Sequence, residues 1–140
     1  MNQSSRKLFS YILGAIILVG VTIFLVVLYN STKKETEIVI SDEYFEVQGM
    51  FGATYYFDDI EVIELRDTIP KITRKNNGSG LGEVKKGDFE VEGLGSGKLF
   101  ILSKEGPYIY VQTKDSYVII NYKDQTKTKE LYESLTTYLD

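Results

Sequence analysis

Asp88 to Leu102 reads DFEVEGLGSGKLFIL, and the choice between a nucleotide loop and a hairpin here decides the fold. A phosphate loop needs Gly-x-x-x-x-Gly-Lys-Ser/Thr followed by a helix. Its backbone amides and lysine then hold phosphates, and its hydroxyl holds magnesium. Here Glu92 stands where the first glycine belongs, and a carboxylate repels phosphate. Leu99 replaces the hydroxyl residue, and LFILS after Lys98 has no helical period. DFEVE alternates instead, with Phe89 and Val91 on one face and Asp88, Glu90 and Glu92 on the other. Two strands around a Gly-rich connection predict a β-hairpin whose glycines supply positive φ. No nucleotide is expected at Gly93–Lys98.

Working outward, the same period-two pattern recurs in EIVIS, YFEVQ, ATYYF, VIELR, KLFIL, YIYVQT and SYVIINY. In VIELR, Ile63 and Leu65 are expected inside, with Glu64 and Arg66 outside. Ser41-Asp42-Glu43, Asp58-Asp59, Gly106-Pro107 and Lys114-Asp115 supply turns. Asp67 to Gly87, rich in Gly and Asn and carrying Pro70, is expected to be a long loop. Only the C-terminal end changes period. Leu131, Tyr132, Leu135, Tyr138 and Leu139 fall on one face of a helix, with Asp124 as its N-cap. Seven or eight short strands closed by one amphipathic helix make the domain mainly β.

Leu8 to Tyr29, LFSYILGAIILVGVTIFLVVLY, carries no charge over 22 residues. As a helix it is about 33 Å long, which matches a hydrocarbon core of about 30 Å. A cleaved signal would have a shorter apolar run and small residues at a cleavage site. This run ends VVLYNS, so an uncleaved single-pass anchor is expected. The chain divides into a short polar tail (1–7), a transmembrane helix (8–29), a juxtamembrane connector (30–36) and a globular domain (37–140). Arg6 and Lys7 precede the anchor, and Lys33 and Lys34 follow it. The count is a tie, which the amino terminus tips toward a cytoplasmic N-terminus and an extracytoplasmic domain.

The chain has no Cys and no His. Disulfides, thiolate metal sites and Ser-His-Asp or Cys-His catalysis within the chain are excluded, and zinc hydrolase chemistry is disfavoured. From residue 31 onward, 14 Lys/Arg stand against 20 Asp/Glu, an acidic balance unsuited to nucleic acid. Against that balance, Lys71, Arg74, Lys75, Lys85 and Lys86 form a basic island opposed by Glu83 alone. They are the candidate ligand- or partner-binding residues. An anionic headgroup is one reading of them, and a solvated loop is the other.

DTIPKITRKNNG, GDFEVEGLGSGKLFI and PYIYVQTKDSYVIINYKDQTKTKELYESL together resemble bacterial pleckstrin-homology-like (PH-like) domains of small membrane proteins. The resemblance covers roughly Ala53 to Leu135. Its strongest pieces are Ile69-Pro70, Arg74 with Asn77-Gly78, Gly87-Asp88-Phe89, Gly97-Lys98 and Ile120-Asn121. It implies strands in meander order, bent into a sheet or barrel of about seven strands and capped by a C-terminal helix, in a membrane setting. It implies no ligand. Lipid-binding relatives in eukaryotes carry basic residues around the first hairpin, where this chain has Ser41-Asp42-Glu43. They also carry a Trp in the last helix, and this chain has none.

Two further groups carry side chains of chemical interest. Asp58, Asp59, Glu61 and Glu64 could in principle pair for glycoside hydrolysis or bind a cation, but a turn and alternating strand faces explain them. Tyr108, Tyr110 and Tyr117 could line a peptide or sugar site, but cross-strand packing explains them. The expectation is a non-catalytic, membrane-anchored interaction module with a protein partner. The alternative is an accessory binder of anionic lipid through residues 71–86. No cofactor, metal or nucleotide is expected.

Overall fold

The computed structural model describes residues 2–33 and 35–139. Lys34, one of the four cations counted around the anchor, lies outside them. The chain forms two units, residues 1–34 and 35–140.

The first unit is one helix, α1 (Gln3–Lys33). It runs past Tyr29 into the first residues of the expected connector. It is long and apolar enough to cross a membrane, and none of its apolar window is buried by protein. A soluble helix this apolar would hide its surface in a core.

Among the described residues, the second unit holds nine strands in two sheets, one α-helix and a short 3-10 helix at Phe57–Asp59. β1 (Ile38–Ile40), β2 (Tyr44–Val47) and β3 (Ala53–Tyr56) form an antiparallel sheet in that order. The remaining strands are β4 (Ile60–Arg66), β5 (Ile72–Ser79), β6 (Lys85–Val91), β7 (Gly95–Ile101), β8 (Tyr108–Thr113) and β9 (Tyr117–Ile120). They form a second sheet in the order β4-β8-β9-β7-β6-β5. The C-terminal helix is α2 (Gln125–Thr136).

The meander expectation is corrected by this order. β4 pairs with β8 rather than β5, and β7 pairs with β9 in parallel. The predicted loop at 67–87 is also corrected, because it contains β5. No apolar alternation marks ITRKNNGS. It is an edge strand, paired on one side to β6 and exposing Thr73, Arg74, Lys75, Asn76 and Asn77.

The six-stranded sheet is strongly curled, and covalent geometry shows why. β4 and β5 are its two edges, yet only Asp67–Lys71 link them. That link spans at most about 20 Å. A flat six-stranded sheet would hold its edges about 24 Å apart. The two strands also run in the same direction, so the link must travel back along the strands as well. Curling brings the edges toward each other, but β4 and β5 do not pair and the barrel stays open.

Alternation on the central strands builds two cores. Phe100, Ile109, Val111, Val118 and Ile120 face the small sheet and helix, where they meet Phe45, Val47, Phe57, Ile63 and Leu135. Leu99, Ile101, Tyr108, Tyr110, Tyr117 and Ile119 face the concave side with Phe89 and Val91, and Ile69, Ile72 and Leu94 pack over them. Strands buried on both faces read as continuous apolar runs, as YVII does. Ile63 is buried as expected, whereas Leu65 on the same face is 36% exposed, near the end of an edge strand.

The helix is capped as its sequence predicts. The Asp124 carboxylate accepts from the Thr126 and Lys127 amides at 2.9 and 3.4 Å. Leu135 is fully buried, Leu131 and Tyr132 are half-buried, and Tyr138 lies past the helix end and stacks on Phe57 at 4.8 Å.

Candidate functional site

The Gly-rich stretch is a hairpin. Val91 is in register with Gly95, and the Leu94 amide donates to the Val91 carbonyl at 3.0 Å. Gly93 and Gly95 take φ of +77° and +76°, which explains two of the glycines. Lys98 pairs with Asp88 at 3.3 Å and donates to the Phe51 carbonyl at 3.4 Å. Those contacts hold its ammonium on the face of the sheet that carries Phe100 and the small sheet.

The basic island converges only in part: Lys75 and Lys85 both come beside Gly80, where an added Cβ would lie 3.9 Å from Lys75 and 3.5 Å from Lys85. Alternation along β6 puts Lys85 with Phe89 and Val91 on the concave side and Lys86 with Asp88 and Glu90 on the other. Arg74 donates to Asn76 and to Glu90, each at 2.9 Å, so its charge is met on the sheet. Lys71 and Lys75 are exposed. The Lys85 ammonium donates to the Gly82 carbonyl at 2.5 Å. Burial pulls the Lys86 pKa below the usual lysine value.

What the fold assembles is a cleft of about 730 Å³ on the concave side, lined by Ile69, Pro70, Ile72, Gly82, Glu83, Lys85, Ile101, Lys104 and Tyr108. Its floor is apolar and its charges are Lys85, Lys104 and Glu83. The Lys104 amide donates to Glu83 at 3.3 Å, and the Tyr108 hydroxyl donates to the Lys104 carbonyl at 2.6 Å. The size is that of a site for a small ligand or a few side chains. Of the five predicted site residues, the cleft takes only Lys85. Lys104 and the apolar lining carry no local signal, because the crossover between β4 and β5 is what brings them together. Ile69-Pro70, noted among the motifs, was the one available marker.

The loop at the cleft's lip is held by a buried side chain. Asn121 accepts from the amides of Leu102 and Ser103 at 2.9 and 3.2 Å. It donates to the carbonyls of Ser103 and Glu105 at 2.9 and 3.3 Å.

Of the tyrosine stripe, Tyr110 and Tyr117 pack against each other, while Tyr108 lines the cleft. Tyr108, Tyr110 and Tyr117 are all buried, with Tyr110 and Tyr117 stacked at 5.9 Å. Arg66 covers the Tyr110 ring at 3.9 Å. Asp58, Asp59, Glu61 and Glu64 are all exposed. Glu64 pairs with Arg66 at 2.8 Å and Asp59 with Lys114 at 3.9 Å. Among the described residues no group of three or more acids is placed to hold a metal ion.

The chain matches no protein-family model, no curated protein and no solved structure.

Proposed function

We propose that the protein is a membrane-anchored, non-catalytic interaction module whose β domain, related to the PH-like domains it resembles, docks a protein partner beside the bilayer. The cleft is the observation that carries this reading. An apolar floor with a few charged groups at its lip has the character of a protein contact, with an apolar centre and a polar rim. α1 supplies the anchor, and the domain follows it on the extracytoplasmic side.

The distribution of cations favours a protein over a lipid surface. Headgroup attraction of about 1 kcal/mol per cation requires the cations to face the bilayer together. Here Lys85 and Lys86 point to opposite faces and Arg74 is tied to Glu90. Crosslinking from the native membrane tests the reading with the full chain and with Lys85→Glu/Lys104→Glu. A defined protein captured by the first and lost from the second supports it. Phospholipid adducts alone, retained in the variant, would replace it with the lipid reading.

A further inference from the structure

The six-stranded sheet has two edges, and they are built differently. β5 is broken by two register irregularities and lined by Arg74, Lys75, Asn76 and Asn77. Bulges and charges of this kind blunt an edge against pairing. The strands of the small sheet are only three or four residues long. β4 carries charges too, at Glu61, Glu64 and Arg66, and α2 packs against it, but its bulge is confined to one end. After one irregularity at Ile60/Val62, Val62 to Arg66 stays in unbroken register with Gln112 to Tyr108. The Ile60 amide donates to the Phe57 carbonyl, and among the described residues no turn or loop backbone hydrogen bond involves residues 61–66. Val62 and Leu65 are 38% and 36% exposed on this strand.

We propose that the β4 edge accepts an added strand from the partner: an extended segment in which Lys or Arg alternates with apolar residues. The unpaired N–H and C=O groups of an edge are a template for such addition, with side chains setting specificity. The charges define the sequence that fits. Asp58, Asp59, Glu61 and Glu64 line this end of the sheet against Arg66. Arg66 is engaged by Glu64, and Asp58 and Glu61 have no ion partner among the described residues. A second copy of the chain fits poorly. Antiparallel pairing of two β4 strands about Ile63 sets Glu61 opposite Leu65 and Glu64 opposite Val62, with no cation facing either carboxylate, and the bulges of β5 block β4-to-β5 pairing. β4 also leads at Arg66 directly into the crossover whose Ile69 and Pro70 line the cleft, so one partner segment can engage both. The inference rests on the protein-docking reading and adds the site and the shape of the segment.

The test uses the full chain in phosphatidylcholine nanodiscs and two synthetic peptides, one alternating lysine with valine and one alternating glutamate with valine. Amide hydrogen exchange is read residue by residue. The lysine peptide is expected to protect amides within residues 60–66, and the protection should weaken at high salt. Glu61→Lys/Val62→Lys should weaken peptide binding by about tenfold or more. If that variant melts early, Glu61→Gln replaces it, with a smaller loss expected. Protection confined to other strands, or equal protection by the glutamate peptide, would overturn strand addition. The crosslinking experiment above does not depend on β4, so the docking reading can stand if this one fails.

Discussion

The ring of Tyr117 lies flat against Gly97. A Cβ on residue 97 would sit 2.4 Å from the ring, and the Tyr117 hydroxyl donates to the Gly95 carbonyl at 2.7 Å. The glycine of the apparent phosphate loop therefore makes room for an aromatic ring from β9. Gly97→Ala should destabilise the domain by about 1–3 kcal/mol, the usual cost of overpacking a filled site. Urea denaturation of the full chain in detergent measures this. A neutral substitution would mean that the ring is not confined there.

Asn121 ties the strand end at Leu102 to the loop through Glu105 from a fully buried position. Asn121→Leu removes both partners of two amides and two carbonyls, at about 1–3 kcal/mol for each group left unsatisfied. A marked drop in melting temperature is expected. Asn121→Asp aims a carboxylate at the Ser103 and Glu105 carbonyls, so its destabilisation should ease as pH falls and the carboxyl protonates. A pH-independent defect would contradict the hydrogen-bond roles assigned here.

Leu135→Asp should unfold the domain. Burying a leucine contributes roughly 1.5–3 kcal/mol, and an unpaired buried carboxylate costs several more. Small domains hold about 5–15 kcal/mol in total. Reversing Lys71 and Lys75 to Glu should change stability by less than about 0.5 kcal/mol each, since both are exposed. Circular dichroism melts of the three proteins separate these outcomes. Tolerance of Leu135→Asp would mean that the core is misplaced.

The helix was legible in the sequence because one element carried its whole pattern, from the Asp124 cap through Leu131 to Leu135. The hairpin and the central strands were legible for the same reason. β5 was not, because an edge strand facing solvent needs no apolar alternation. Sheet order was not legible either, because nothing local in IEVIELR says that its partner is Tyr108–Thr113. The cleft follows from that order. Lys85 was chosen for its charge, while Lys104, as far as the sequence shows, is an ordinary loop lysine.

Alkaline pH should weaken the fold through its tyrosines, since burial raises the pKa of Tyr55, Tyr108, Tyr110, Tyr117 and Tyr122. Burial first, then Tyr110 and Glu90, pushes the Tyr117 pKa up to about 12. Burial, then Glu35, does the same for Tyr122, also to about 12. Unfolded tyrosine ionises near 10, so between about 10 and 12 the folded state holds protons that the unfolded state has lost. Stability is full below about 10 and falls as pH rises through about 12. Lys86, with its pKa lowered by burial, acts in the opposite sense in the window below the usual lysine value, so Lys86→Gln should remove a rise that precedes the fall. Denaturant midpoints measured across this range check the sign. A midpoint that rises toward pH 12 would contradict it.

Photo-crosslinking from residue 62 in the full-length protein, in its native membrane, tests the central claim most directly. A photoreactive side chain replaces Val62 in one protein and Thr73, on the opposite edge, in another. The account predicts a discrete protein adduct from position 62, absent from position 73. Adducts to phospholipid alone, or the same protein captured equally from both edges, would contradict it.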